Sequence, residues 1–324
     1  APRHLLSIAD LTPQELTTLV HNAATHKSAI KSSSTSPSLH NALQGKTVAI
    51  MFSKRSTRTR VSTEGAVVAM GGHPMFLGSQ DIQLGVNESL YDTSVVLSSM
   101  VAGMVARVHQ HDDVASLARH SSVPVLNALS DLHHPLQALA DVLTLHEAFP
   151  SPALNLSGIK IAWIGDANNV LFDLALAAAK TGMHLAIATP PSHTLPDAIR
   201  TMIATCTTPG SSFRLTETSV PEEAVRDADV LVTDTWISMG QESERATRLR
   251  EFEGFQITRE LARRGGAKEG WKFMHCLPRH PEEVSDEVFY GPGSLVFREA
   301  ENRLWTAMAA VQGFVVNRGK IESV

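Results

Sequence analysis

Short apolar runs alternate with helix-length amphipathic segments along almost the whole chain. In the first half the runs are "KTVAIMF" (46–52), "PMFLG" (74–78), "GMVARV" (103–108) and "PVLNAL" (124–129). A stretch with helical spacing follows each: "TRTRVSTEGAVVAM", "ESLYDTSVVLSSM", "DDVASLARH" and "PLQALADVLTLHEAF". The runs are apolar throughout rather than alternating, which predicts strands buried on both faces, as in a parallel sheet covered by helices. Prolines, serines and a glycine in "FPSPALNLSG" (149–158) break the pattern and mark a domain junction. The alternation then restarts. Strands are expected at "KIAWIG", "HLAIAT", "FRLTET", "DVLVTDTW" and "WKFMHCLP", and helices at "NVLFDLALAAAKTG", "PDAIRTMIATC", "PEEAVRDA" and "TRELARRG". A long last helix is expected at "EAENRLWTAMAAVQGFVV" (299–316), whereas the Ser-rich "HKSAIKSSSTSPSLHNALQG" (26–45) reads as a solvated loop. The pattern predicts an α/β protein of two doubly wound parallel-sheet domains joined by helices.

The chain has 324 residues, 43% of them hydrophobic, which is enough for two packed cores. Its formal net charge of -5 argues against a nucleic-acid or membrane-surface partner. No apolar stretch approaches the ~20 residues of a membrane-spanning helix. Cys206 and Cys276 are the two cysteines, too few to staple such a chain, and read as free thiols in a reducing compartment. The first residues, "APRHLLS", lack both an initiating Met and the apolar run of a secretory signal, so either the end was trimmed or a targeting segment was removed.

Ligands of doubly wound sheets bind beyond the carboxyl ends of the strands. Six polar clusters fall there: "SKRSTRTR" (53–60), Arg107 with "VHQH", "SDLHHPLQ" (130–137), "GDANN" (165–169), "DTWISMGQE" (234–242) and "HCLPRH" (275–280). The first gathers Lys54, Arg55, Arg58 and Arg60 among hydroxyls. Ser56 or a neighbour can cap the helix that starts there, whose first amides carry the positive end of the helix dipole. With Arg58 and Arg60 this makes a phosphate cradle without the glycines of a Walker loop; the alternative is a capped helix in which Arg60 pairs with Glu64. Arg107 ends an apolar strand, either snorkelling to solvent or aimed into a site. His134 and Gln137 share a face at the start of a helix with Pro135 in its first turn. There they can polarise a carbonyl and hold its nitrogen, or serve as cap and core. "GDANN" lacks the G-x-G-x-x-G of a dinucleotide site and offers Asn168 and Asn169 instead. Asp234 can pair with an amine or cap a turn ahead of Ser238 and Met239. Cys276 can be read as a zinc ligand with His275 and His280 or as a nucleophile, although strand alternation turns His275 away from it. Cys206 reads as core packing. Arg303 is expected to open the last helix, which can cross back to the first domain.

Taken together, these motifs resemble the ornithine carbamoyltransferases. The likeness runs from "GKTVAIMFSKRSTRTR" to "EAENRLWTAM". "STRT" with "HPLQ" is shared by carbamoyltransferases, and "DTWISMG" with "HCLPR" belongs to the ornithine branch. "GGHPMFLGSQDIQLGVNESLYDTSVVLSSM" is similar to trimeric, anabolic members of mitochondrial type. The resemblance implies a carbamoyl-phosphate-binding domain over 1–149 and 302–324 and an ornithine-binding domain over 150–301. It implies that Ser56, Thr57, Arg58 and Thr59 hold phosphate, that Arg107 bridges phosphate and carbonyl oxygen, and that His134 donates to that oxygen. Gln137 and the carbonyls of Cys276 and Leu277 take the carbamoyl amine, Arg303 adds a cation, and Gln83 reaches a neighbouring subunit's site. Asn169, rather than Asn168, binds the α-groups of ornithine with Asp234, Ser238 and Met239. The implied reaction gives citrulline and phosphate, a step of arginine synthesis, with no metal or organic cofactor. The implied assembly is a homotrimer, placed in the mitochondrial matrix after loss of a transit peptide, or in the cytoplasm of a prokaryote. Cys276 is implied to sit near the attacking amine with Asp234.

Overall fold

The computed structural model describes residues 1–32, 39–79, 88–151, 154–237 and 242–324. The chain divides into two compact units, Ala1–Leu143 with Glu301–Val324, and Thr144–Ala300.

The first unit opens with α1 (Pro13–Lys31). Strands and helices then alternate: β1 (Thr47–Phe52), α2 (Thr57–Ala69), β2 (His73–Gly78), α3 (Leu90–Ser98), β3 (Gly103–Arg107), α4 (His111–His120), β4 (Val125–Leu129) and α5 (Pro135–Ala148). All strand pairs are parallel and the sheet order is β2-β1-β3-β4. The first unit boundary lies within α5. The second unit carries β5 (Lys160–Ile164), α6 (Asn169–Thr181), β6 (His184–Ala188), α7 (Asp197–Cys206), β7 (Leu215–Thr218), α8 (Pro221–Val225) and β8 (Val230–Thr233). It continues through α9 (Arg245–Glu251), α10 (Arg259–Gly265), β9 (Lys272–His275) and α11 (Asp286–Phe289) to α12 (Val296–Val311). Its parallel sheet has the order β7-β6-β5-β8-β9. The later part of α12 and the π-helical turn Gln312–Val316 rejoin the first unit. There Asn302 accepts from Lys27 of α1 at 2.7 Å, and the His26 ring meets Gln312 at 2.7 Å.

The inner strands are buried on both faces, as continuous apolar runs require: Val48, Ala49, Ile50 and Met51 of β1 and Met104, Val105 and Ala106 of β3 are inaccessible to solvent. The edge strands depart from the expectation. β2 is covered on one face only, with Met75 39% exposed, and β7 likewise turns residues to solvent. α1 extends through Lys31, so the predicted loop from residue 26 begins as helix. The last helix starts at Val296, which places Arg303 two turns inside it rather than at its opening.

The order of each sheet determines where ligands belong. Connections run from β1 to one side and from β3 to the other, and they diverge in the same way between β5 and β8. These two reversals are the topological switch points, where a crevice opens beyond the carboxyl ends of adjacent strands. "SKRSTRTR" follows β1 and Arg107 ends β3; "GDANN" follows β5 and Asp234 follows β8. Four of the six clusters thus lie at a switch point.

Candidate active site

At the first switch point, α2 starts with a side-chain N-cap. The Ser56 hydroxyl accepts from the Thr59 amide at 3.3 Å. Arg60 is engaged elsewhere. Its Nε donates to Glu64 at 2.9 Å, and its guanidinium lies 3.6 Å from the centre of the Phe76 ring. Arg58, two residues earlier and half-buried, reaches the His134 ring described below. Beside it, Ser53 ties its amide to the Arg107 carbonyl at 2.9 Å, locking the ends of β1 and β3 together. The β3–β4 register shifts between Ala106 and Arg107, a bulge that re-aims the buried Arg107 side chain at the end of its strand.

His134 is held by the turn after β4. Ser130 accepts from the His133 amide at 3.1 Å, and the His134 carbonyl takes the first amides of α5 from Gln137 and Ala138. Burial lowers the His134 ring well below the ordinary imidazole value. The positive charges of Arg303, Arg107 and Arg58 push the same way. The ring is therefore neutral and surrounded by three guanidinium groups. Gln137 lies one turn along the same face. Its Oε1 accepts from Arg303 Nη1 at 2.7 Å and its Nε2 donates to Asp141 at 2.8 Å, so the amide has a defined orientation. Arg303 Nη2 also donates to Thr59 at 3.2 Å, which binds α12 to α2 within this unit. Lys54 adds positive charge; its pKa is lowered by burial and by Arg107, with Asp131 acting the other way. Arg58, Arg107, His134, Gln137 and Arg303 are thus gathered into one cluster within this unit.

In the second unit, Asn168 caps α6, accepting from the amides of Val170 and Leu171 at 3.1 and 3.3 Å. Its Nδ2 donates to Asp234 Oδ2 at 2.8 Å, while Asp234 Oδ1 takes the Cys276 thiol at 3.0 Å. Asp234 is thereby fixed between β5 and β9. Asn168 thus spends its amide on cap and acid, and Asn169, the first residue of α6, is half-buried beside it. Both ring nitrogens of His275 are engaged, by Glu283 and by the Leu277 amide, which removes it from the metal set considered with Cys276 and His280. Cys206, at the end of α7, is half-buried. Gln83, Ser238 and Met239 lie outside the described residues.

Residues 3–147 match a family described as aspartate/ornithine carbamoyltransferase, carbamoyl-P binding domain, and residues 157–312 match its Asp/Orn binding domain. A mitochondrial ornithine carbamoyltransferase of Emericella nidulans is 67% identical, with 99% of this chain and 91% of that protein covered. The chain belongs to the aspartate/ornithine carbamoyltransferase family, on its ornithine carbamoyltransferase branch. A crystal structure of a mitochondrial ornithine carbamoyltransferase from Coccidioides immitis is similar throughout, at a TM-score of 0.95 and 64% identity, covering 99% of this chain and all of that one. The ornithine carbamoyltransferase structure from Pyrococcus furiosus gives 0.88 at 41% identity, covering 98% of each chain.

Each unit thus carries one cluster: cations and a neutral imidazole in the first, an acid flanked by an amide and a thiol in the second. Two buried acids contribute that the motif reading missed. Asp141 stands four residues after Gln137, a helical spacing that was visible in the sequence. Glu283 lies beyond the "HCLPRH" motif, and nothing local in its sequence signals its role.

Proposed function

We propose that this chain transfers the carbamoyl group of carbamoyl phosphate to the δ-amine of L-ornithine, giving L-citrulline and phosphate. The observation that carries the proposal is the neutral, buried His134 ringed by Arg58, Arg107 and Arg303. This arrangement suits a substrate that is at once a phosphate dianion and a polarisable carbonyl.

In this reading, the amides and side chains of Ser56, Thr57, Arg58 and Thr59 hold the phosphate with the Arg107 side chain. His134 donates to the carbonyl oxygen, and Gln137 takes the carbamoyl amine. Arg303 supplies charge and sets the amide orientation of Gln137. Asn169 and Asp234 read the α-carboxylate and α-amino groups of ornithine, with Ser238 and Met239 completing that pocket. The unprotonated δ-amine attacks the carbamoyl carbon, forming a C–N bond. Charge builds on the carbonyl oxygen against His134 and the arginines; the C–O bond to phosphate then breaks, phosphate leaves with the electron pair, and the amine loses a proton. Cys276, beside Asp234, steers that amine. Positioning supplies much of the rate, since the reaction asks for no covalent intermediate with the protein.

A homotrimer with Gln83 lent to a neighbouring site is part of the proposal. It is supported by exposed apolar side chains on one side of the first unit's sequence: Val61, Val68, Met75, Tyr91, Val95, Val96 and Met100, on α2, β2 and α3 and just after α3. Mitochondrial placement is proposed from the names of the fungal relatives.

The direct test is incubation of the purified chain with carbamoyl phosphate and L-ornithine. Citrulline and phosphate should appear one to one, saturably in both substrates. Phosphate released without citrulline, or no turnover, would refute the proposal.

A further inference from the structure

Glu283 is 1% exposed and touches none of the groups assigned to substrate, yet four donors from three segments converge on its carboxylate. His275 Nδ1 accepts from the Leu277 amide at 2.9 Å, so the ring proton lies on Nε2 and points at Glu283 Oε2, 2.8 Å away. The His280 amide donates to the same oxygen at 2.9 Å. The other oxygen, Oε1, faces His280 Nδ1 at 2.9 Å and the Trp236 amide at 3.3 Å. Thr235 spends its hydroxyl proton on the Ile237 carbonyl at 3.0 Å. Its contact with His280 Nδ1 at 3.2 Å is therefore one of acceptance, which places a proton on Nδ1 as well.

Burial pushes the Glu283 carboxyl up, but His275 and His280 outweigh it and hold the pKa below the ordinary value, so the group is an anion. The three segments are the loop after β8, which begins with Asp234, the end of β9, and the turn that follows Cys276. The backbone at Leu277 has a left-handed φ of 65°, held by its hydrogen bond to His275. A single carboxylate therefore fixes both arms that present the Asp234–Cys276 pair.

We infer that Glu283 is a positioning residue for amine recognition: through His275 and the Trp236 amide it holds Asp234 and Cys276 in the geometry that reads ornithine. The inference rests on the ornithine reading above and names a residue that acts through others rather than on substrate. A general packing role would loosen the unit as a whole; a positioning role falls on one substrate.

Glu283→Gln tests it with little change of volume. All four neighbours donate, so an amide must turn its NH2 toward at least one donor and displace it, either on the His275 side or on the Trp236 side. The ornithine KM should rise on the order of 10- to 100-fold, the penalty of a small misplacement. Carbamoyl phosphate affinity by calorimetry should stay at the wild-type value, and the 15N pattern of the His275 ring should change. Wild-type ornithine kinetics in the folded variant would overturn the inference, as would equal loss of both substrates. If that variant does not fold, His280→Ala removes one contact at a partly exposed ring. A raised ornithine KM with unchanged carbamoyl phosphate affinity then supports the inference, and an unchanged KM overturns it. Failure of the ornithine reading shows separately, as absence of citrulline with the wild-type chain; an unaltered His275 ring in Glu283→Gln would still overturn the positioning role.

Discussion

Arg58 carries the strongest single-residue expectation, because Arg60 is already occupied by Glu64 and Phe76. Arg58→Ala should fold normally and lose about 1.5–3 kcal/mol of carbamoyl phosphate binding, roughly a 10- to 150-fold weaker Kd. Calorimetry on the folded variant measures it, and wild-type affinity would remove Arg58 from the phosphate cradle. His134 makes a second claim at the same scale. Its pKa is depressed in the folded chain, so the neutral ring contributes stability that is fully present above the ordinary value of 6.5 and is lost as pH falls below it. The ring should therefore keep the 15N shifts of a neutral imidazole at pH 6.5, and kcat/KM should show no acid limb there from this group. A ring titrating near 6.5 would contradict the burial argument. What sequence could say about these residues was limited by direction. A helix start with "STRTR" shows where the cations stand, but only packing shows that Arg60 turns to Phe76 while Arg58 joins Arg107 and Arg303 around His134.

At the scale of elements, α1 shows how much local signal a Ser-rich neighbourhood can hide. Thr12 and Glu15 form a capping box around Pro13, and Leu16, Leu19, Val20 and Ala23 repeat at helical spacing, so the element was legible although the following "SSSTS" reads as loop. Glu15 also takes Arg3 Nη2 at 2.8 Å, and Arg3 Nη1 reaches the Gly319 carbonyl at 3.1 Å, joining the start of the chain to its end. The side-chain bond from Arg3 is the largest influence on Glu15 and lowers its pKa from 4.5 to about 2. The stabilisation is thus complete above pH 4.5 and disappears as pH falls toward about 2. Arg3→Gln should lower the urea midpoint at neutral pH, and the deficit should shrink through that acid window. A deficit independent of pH would show that packing of Arg3 on Phe314, rather than the ion pair, holds this end. The parallel strands were legible because burial on both faces writes a continuous apolar run. The edge strands β2 and β7 were over-read, since nothing in "PMFLG" tells an edge from a centre. Glu283 was illegible for the converse reason: its meaning arises only when β8, β9 and the turn after Cys276 meet.

At the scale of the whole molecule, each unit has its own switch point; the proposed function gives carbamoyl phosphate to the first and the amino acid to the second. Assembly belongs to this scale too. If Gln83 is lent between chains, a Gln83→Ala form and an Arg58→Ala form, each of low activity at subsaturating carbamoyl phosphate, should gain activity when dissociated and reassembled together, because some sites then draw both intact residues. Reassembled mixtures that gain none while each parent is folded would confine the site to one chain. The claim on which everything else depends is the choice of acceptor. Asp234, held between Asn168 and Cys276, is an acid where the ornithine reading needs a partner for the α-amine. The most direct measurement is kcat/KM for carbamoyl transfer to L-ornithine, putrescine, an Nα-acylated ornithine and L-aspartate at saturating carbamoyl phosphate. The account expects L-ornithine to lead the series, with losses wherever the free α-amino or α-carboxylate group is missing. A higher kcat/KM for any of the other three would contradict it.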